Sequence, residues 1–141
     1  MVLTMSCNCK CKTLLVEDNA DFRRALKQTL CERFPCMVVV EAPDGEEALR
    51  RIDALLPNLI LMDINLPGES GLKLTRKIKT THPEIPIIIL TGYDLPAFRR
   101  VAYEAGASGF LVKGSFTLEE LMTPVKGLLS VGVKCDFCWL G

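Results

Sequence analysis

The sequence predicts a single doubly wound α/β domain, (βα)5 in organisation, with five parallel strands and helices on both faces of the sheet. Three observations carry that reading. Short apolar runs recur along the chain at "KTLLVE" (12–17), "MVVVEA" (37–42), "LILMD" (59–63), "PIIILT" (86–91) and "GFLVK" (109–113). These runs do not alternate with polar residues, as expected of strands buried on both faces. Segments of helical period separate them, joined by connections of only a few residues, the pattern of an alternating α/β sheet.

The elements follow in order. After the first strand, a helix from about Asp21 to Arg33 carries Phe22, Leu26 and Leu30 on one stripe. The helix after the second strand opens with Asp44 and Glu47, three residues apart as in an N-terminal capping box, and Pro57 stops it. The third strand ends in Asp63, with Asn65 and the turn residues Pro67 and Gly68 close behind. A helix follows Ser70 to about Thr80, with Leu74 and Ile78 one turn apart. The fourth starts near Pro96, a residue suited to a first helical turn, and ends at Gly106. The last begins at Thr117, with Glu120 completing a second capping box and Leu118, Leu121, Met122, Val125 and Leu129 as its apolar stripe. Pro124 and Gly127 predict a kink or early end there.

The 141 residues suit one domain with one core. Seventeen basic and seventeen acidic residues balance, so no overall field draws the chain to nucleic acid or to a membrane. No apolar run approaches the ~20 residues of a bilayer span, and the N-terminus lacks a signal-peptide pattern, so a cytoplasmic location is expected. The expected organisation is a Cys-rich extension over 1–11, the α/β domain over 12–129 and a tail with a C-x-x-C pair over 130–141.

In a parallel sheet all strands end at one edge, where open α/β sheets bind their ligands. The five runs bring Glu17, Asp18, Asp63, Thr91, Gly92 and Lys113 to that edge. Three clustered carboxylates repel one another unless a cation sits among them, and hard oxygen ligands suit Mg²⁺. The set points to phosphoryl transfer onto Asp63, since a carboxylate attacks phosphorus when a metal and a lysine neutralise the phosphoryl oxygens. Asp18 and Asp63 are the expected direct Mg²⁺ ligands, with Glu17 acting through water and the backbone carbonyl of Asn65 completing the set. Thr91 would donate to a phosphoryl oxygen, and Gly92 leaves room for it.

Taken together in order, "LLVEDN", "LILMDINLPGESG", "IIILTGY" and "GFLVKGS" resemble the receiver domain of bacterial two-component response regulators over residues 12–129. The resemblance implies a flavodoxin-like fold with strand order 2-1-3-4-5. It implies phosphorylation of Asp63 by a sensor histidine kinase or a histidine phosphotransfer protein, with Mg²⁺ required. It further implies a switch in which Thr91 moves toward the phosphoryl group, Phe110 turns inward, and the face built from helix four, strand five and helix five is remodelled for a downstream protein or a second copy of the chain. Such a domain is no enzyme toward external substrates; it catalyses only its own phosphorylation and dephosphorylation. One departure stands out: many receivers have a cis-proline directly after the strand-five lysine, and this chain has Gly114. Because 28 residues follow Lys113 and the last helix takes about half, no helix-turn-helix fits in this chain, and direct contact with nucleic acid is not expected.

Seven cysteines remain to be placed. Cys7, Cys9 and Cys11 precede strand one, Cys31 and Cys36 bracket the turn into strand two, and Cys135 and Cys138 follow helix five. By topology all seven fall toward the edge opposite Asp63. C-x-C and C-x-x-C pairs suit Zn²⁺ or another thiolate-bound metal, or a redox switch, yet no complete ligand pattern is present, so inert thiols are the expected state. The alternative function is therefore a metal- or thiol-responsive sensor on a receiver scaffold. A phosphohydrolase is disfavoured because aspartate-nucleophile phosphatases keep a second aspartate two positions on, where this chain has Asn65. A flavodoxin is disfavoured because Glu17-Asp18-Asn19 would repel a cofactor phosphate. His82, before Pro83 in the turn ahead of strand four, reads as a surface histidine, and Tyr93 as an exposed residue near the site.

Overall fold

The computed structural model describes residues 11–35, 37–117, 119–121 and 123. The apolar runs become five strands, β1 Cys11–Val16, β2 Met37–Ala42, β3 Leu59–Asp63, β4 Ile87–Thr91 and β5 Gly109–Val112. They pair in parallel in the order β2-β1-β3-β4-β5. Every residue of β3 and of β4 is buried, as their unbroken apolar sequences require of central strands covered on both faces. β1 starts one residue earlier than its apolar run indicated. Cys11 is the first strand residue and not part of a preceding extension, paired in register with Met37.

Four helices lie between the strands, α1 Ala20–Arg33, α2 Gly45–Leu55, α3 Gly71–Thr81 and α4 Pro96–Glu104. Local chemistry sets their starts. Asn19 caps α1 by accepting from Phe22 N–H (3.0 Å), and Asp44 caps α2 by accepting from Glu47 N–H (2.8 Å). The carboxylate of Glu47 pairs with Arg50 and Arg51 on its own helix, at 3.0 Å each. Ser70 caps α3, and Pro96 supplies the first turn of α4. At the last helical stretch among the described residues, 119–121 and 123, the expected capping box forms in both directions: Glu120 N–H donates to Thr117 Oγ1 (3.1 Å) and Thr117 N–H to Glu120 Oε1 (3.0 Å). Of that helix's expected stripe only Leu121 lies among the described residues, and it is fully buried.

The sheet divides the core in two. One side joins Leu14, Val16, Ile60, Met62, Ile87 and Ile89 to Ile52 of α2, Leu74 and Ile78 of α3 and Ala102 of α4. The other joins Leu15, Leu59, Leu61, Ile88 and Leu90 to Leu26 and Leu30 of α1 and to Leu121. Alternate strand residues face the two layers, and because all five strands are parallel their carboxyl ends lie at one edge. No helix among the described residues is long and apolar enough to cross a membrane.

Candidate functional site

At the carboxyl edge the structure brings Glu17, Asp18 and Asp63 together, each offering a carboxylate oxygen within 4.8 Å of the others. Glu17 and Asp63 are buried and Asp18 is exposed, so the cluster opens to solvent on one side only. Lys113, one residue beyond β5, reaches in from the opposite side. Its ammonium pairs with Glu17 Oε1 and lies 3.4 Å from Asp63 Oδ2. Its own N–H donates to the Thr91 carbonyl (2.7 Å), which ties the end of β5 to the end of β4.

Burial pushes the Asp63 carboxyl up to about 6, and the neighbouring Glu17 charge adds to the rise, while Lys113 and a hydrogen bond from the Asn65 backbone N–H pull it down. Two negative charges thus crowd a poorly solvated space that one lysine only partly neutralises. Glu17 Oε2 accepts from Asn19 N–H (3.0 Å), but Glu17 Oε1 is buried with no hydrogen-bond donor in bonding geometry, only the facing ammonium. Three carboxylates against one ammonium leave two negative charges, the charge of one divalent cation. The donor set is all oxygen and opens to water at Asp18, as a Mg²⁺ site that keeps several waters would need. These residues fit such an ion. Among the described residues this is also the one group of three metal-ligating side chains.

Thr91 is fully buried at the end of β4, and its Oγ1 accepts from Tyr93 N–H (3.2 Å), which leaves the hydroxyl proton for another acceptor. Tyr93 is exposed, its ring edge-on to Phe98 of α4 with centroids 6.0 Å apart. Phe110 is buried in the core layer under α2, α3 and α4, and the Arg99 guanidinium of α4 lies 4.7 Å from its ring centroid. Gly114 takes a left-handed backbone (φ 81°) after Lys113, and no cis peptide occurs among the described residues.

Residues of α1, β2 and α3 matter to this edge that sequence reasoning did not assign to it. Arg23 of α1 donates from Nη1 to the Glu17 carbonyl and from Nε to Glu41 Oε1 of β2, both at 2.8 Å. It thereby fixes the peptide that carries Asp18. Arg23, with Lys27, holds the Glu41 carboxyl below the usual range. A bridge between α1 and β2 depends on packing that no sequence spacing reveals. Gly71, the first residue of α3, lies so close to the end of β3 that an added Cβ would stand 1.9 Å from the Asp63 carbonyl oxygen, and its N–H donates to the Ile64 carbonyl (2.7 Å). Here a signal existed: glycine directly after a serine cap, where a helix former would otherwise be favoured.

The opposite edge holds two of the seven cysteines among the described residues. Cys11 is buried in β1 and Cys31 is half-buried on α1, both against the apolar layer of Leu26, Leu30 and Leu59. Packing within an apolar layer is the environment of structural thiols, and among the described residues neither joins a group of metal ligands. Cys7, Cys9, Cys36, Cys135 and Cys138 lie outside the described residues. His82 is not a freely exposed surface residue; it caps α3, half-buried, with Asp53 and Glu84 at 3.6 and 3.8 Å.

Known proteins share this fold. Residues 13–126 match the family described as response regulator receiver domain. The response regulator GacA of Pseudomonas syringae is 35% identical over 104 residues, covering 74% of this chain and 49% of that protein. A LuxR-family two-component response regulator from Aurantimonas superposes with a TM-score of 0.77 at 34% identity, covering 86% of each chain. The response regulator TrrA of Thermotoga maritima, solved in complex with Mg²⁺-BeF, superposes with a TM-score of 0.75 at 34% identity, covering 84% of this chain and 99% of that one. The chain spans about half the length of the curated relatives it matches.

Proposed function

This chain belongs to the response regulator receiver domain family, and we propose that it signals by accepting a phosphoryl group on Asp63. The observation that carries the proposal is the convergence of Glu17, Asp18 and Lys113 on a buried carboxylate at the carboxyl edge of the sheet. An Asp63 oxygen attacks the phosphorus of a phosphohistidine on a sensor kinase or phosphotransfer protein. The new O–P bond forms as the N–P bond breaks, and its electron pair returns to the imidazole. Asp18, Asp63 and the Asn65 carbonyl, with Glu17 through water, would hold a Mg²⁺ ion, which would supply positive charge against the phosphoryl oxygens. Lys113 offers its ammonium to the same oxygens, which carry the negative charge once Asp63 has become the acyl phosphate. Thr91 donates its hydroxyl proton to the incoming group.

The response passes outward through β4 and β5. Thr91 is the last β4 residue and Phe110 lies beside Ile89 in register, so a movement of Thr91 is felt by the ring under α4. α4 exposes Val101 and Tyr103, with Tyr93 and Leu95 just ahead of it, an apolar surface for a downstream protein or a second copy of the chain.

Intact mass after incubation with acetyl phosphate tests the proposal. The wild type is expected to gain one phosphoryl group with Mg²⁺ and none with EDTA, and Asp63→Ala none in either. A folded wild type that gains nothing, or an Asp63→Ala variant that gains as much, overturns it.

A further inference from the structure

We propose that Phe22 is a positioning residue for Lys113, holding the ammonium over its ring face while the carboxylates around it change charge. The proposal rests on the reading of Asp63 as the phosphoacceptor and adds a residue to that site. Lys113 stands where the main chain offers little to steer its side chain. Its backbone is tied to Thr91, but the next residue is Gly114 at φ 81°, and a Cβ added there would meet no atom within 4 Å. What locates the ammonium is therefore its own contacts. Glu17 and Asp63 lie to one side, and the Phe22 ring lies 4.7 Å from Nζ on α1.

These contacts respond differently to the reaction. Ion pairs with Glu17 and Asp63 weaken once a divalent cation neutralises the carboxylates, before any phosphoryl oxygen has arrived to take their place. Attraction between an ammonium and an aromatic face depends on the ring's quadrupole, which the cation does not alter. Phe22 thus remains a fixed acceptor for the charge when the ion pairs loosen, and the ammonium stays within reach of the phosphoryl oxygens.

The ring itself is well placed to do this. Asn19, one residue beyond Asp18, accepts the Phe22 N–H (3.0 Å), so the same turn that presents the carboxylates fixes the backbone of Phe22. Away from Lys113 the ring borders an apolar cavity of about 230 Å³ shared with Ala25, Leu26, Thr29, Phe116 and Leu121. Being half-buried at a cavity wall, the side chain can be replaced without opening the core.

The test compares the wild type with Phe22→Leu, which keeps apolar bulk and removes the π face, and with Phe22→Tyr, which keeps the face; Phe22→Met is a second non-aromatic variant should the leucine fail to fold. Two readouts are taken. In NMR spectra the Lys113 Hε protons are expected upfield in the wild type and in Phe22→Tyr because of the ring current, and at ordinary values in Phe22→Leu. Phosphorylation by acetyl phosphate with saturating Mg²⁺ is expected to slow about three- to tenfold in Phe22→Leu and to return with Phe22→Tyr, the melting temperature staying level. Lys113 protons that do not differ between wild type and Phe22→Leu, or a leucine variant phosphorylated at the wild-type rate, overturn the proposal. A wild type that takes no phosphoryl group at all overturns the phosphoacceptor reading instead, and the ring-current comparison then decides the Phe22 contact by itself.

Discussion

At the amino end of the sheet, lysines that turn inward meet backbone carbonyls. Lys12 Nζ donates to Leu55 (3.2 Å), and Lys79 Nζ donates to Pro83 (3.1 Å) and Ile85 (2.7 Å), closing the ends of α2 and α3. At the carboxyl end, Glu17 and Asp63 face each other across a single shared lysine, and one Glu17 oxygen has no hydrogen bond. A carbonyl keeps its dipole at any pH and needs no counter-ion. Two buried carboxylates do not, and their repulsion is carried by the folded state until something positive arrives. The amino edge is built for stability, and the carboxyl edge gives some of it up for binding and chemistry.

The largest way to disturb that contrast is Gly71→Ala. The methyl would stand 1.9 Å from the Asp63 carbonyl oxygen, 2.8 Å from its carbonyl carbon and 3.0 Å from Ile64 Cα. All three are backbone atoms and cannot swing aside, so α3 must move away from the end of β3. The expected loss is about 3 kcal/mol or more in urea unfolding, with slower phosphorylation by acetyl phosphate because the displaced peptide carries Asp63. Loss of stability with an unchanged phosphorylation rate would separate α3 from the placement of Asp63.

Next in size is the charge itself. Asp63 titrates near 6 in the folded protein against an ordinary value of 3.8. Between those values the native state binds more protons than the unfolded state, so the contribution of Asp63 to stability is present at low pH and is lost as pH rises through about 6. Asp63→Asn is therefore expected to stabilise the metal-free protein by of order 1–3 kcal/mol at pH 8, the gain fading toward pH 4. Added Mg²⁺ should narrow the gap by stabilising the wild type alone. Lys79→Met probes the other edge and runs the opposite way, destabilising by about 1–2 kcal/mol through two lost charge-assisted bonds. Thermal melts of both variants at pH 8 and pH 5 in EDTA check the pair. An Asp63→Asn variant less stable than wild type at pH 8 would end the contrast between the edges.

Much of this was legible in the chain. Glu17, Asp63, Thr91 and Lys113 could be placed together because unbroken apolar runs mark buried parallel strands, and parallel strands end at a common edge. The fold followed from the same runs, with boundaries off by a residue at Cys11, Val16, Ala20, Thr81, Ile87 and Val112 and by two at Glu104. Residues that act across elements were not legible. Phe22 lay on the apolar stripe of α1 with Leu26 and Leu30 and read as core; only the folded structure, which brings the Lys113 ammonium over its ring, shows that it also meets a cation. Nothing in the spacing of Arg23 and Glu41 signals the bridge they form between α1 and β2. The cysteine spacing resembled ligand pairs without a complete ligand pattern, and inert thiols were the expected state; both of the cysteines described, Cys11 and Cys31, are parts of an apolar layer.

The smallest prediction tests an exception at the amino edge. Leu56 ends α2 with a left-handed backbone (φ 50°, ψ 66°), the one such non-glycine residue among those described, and its side chain is 59% exposed. Its N–H closes the helix on the Ile52 carbonyl (2.8 Å), so the conformation is set by the cap and not by the side chain. A leucine there costs about 1–2 kcal/mol in backbone sterics, and Pro57 already denies it the right-handed alternative. Glycine removes that strain and returns part of the gain as unfolded-state entropy. Leu56→Gly is thus expected to raise stability by about 0.5–1 kcal/mol in urea unfolding and to leave phosphorylation unchanged, since α2 ends at the edge remote from Asp63. A variant that is instead destabilised would mean that the exposed leucine side chain is itself held at this edge, and the stable end of the molecule would then depend on an apolar contact as well as on its lysine caps.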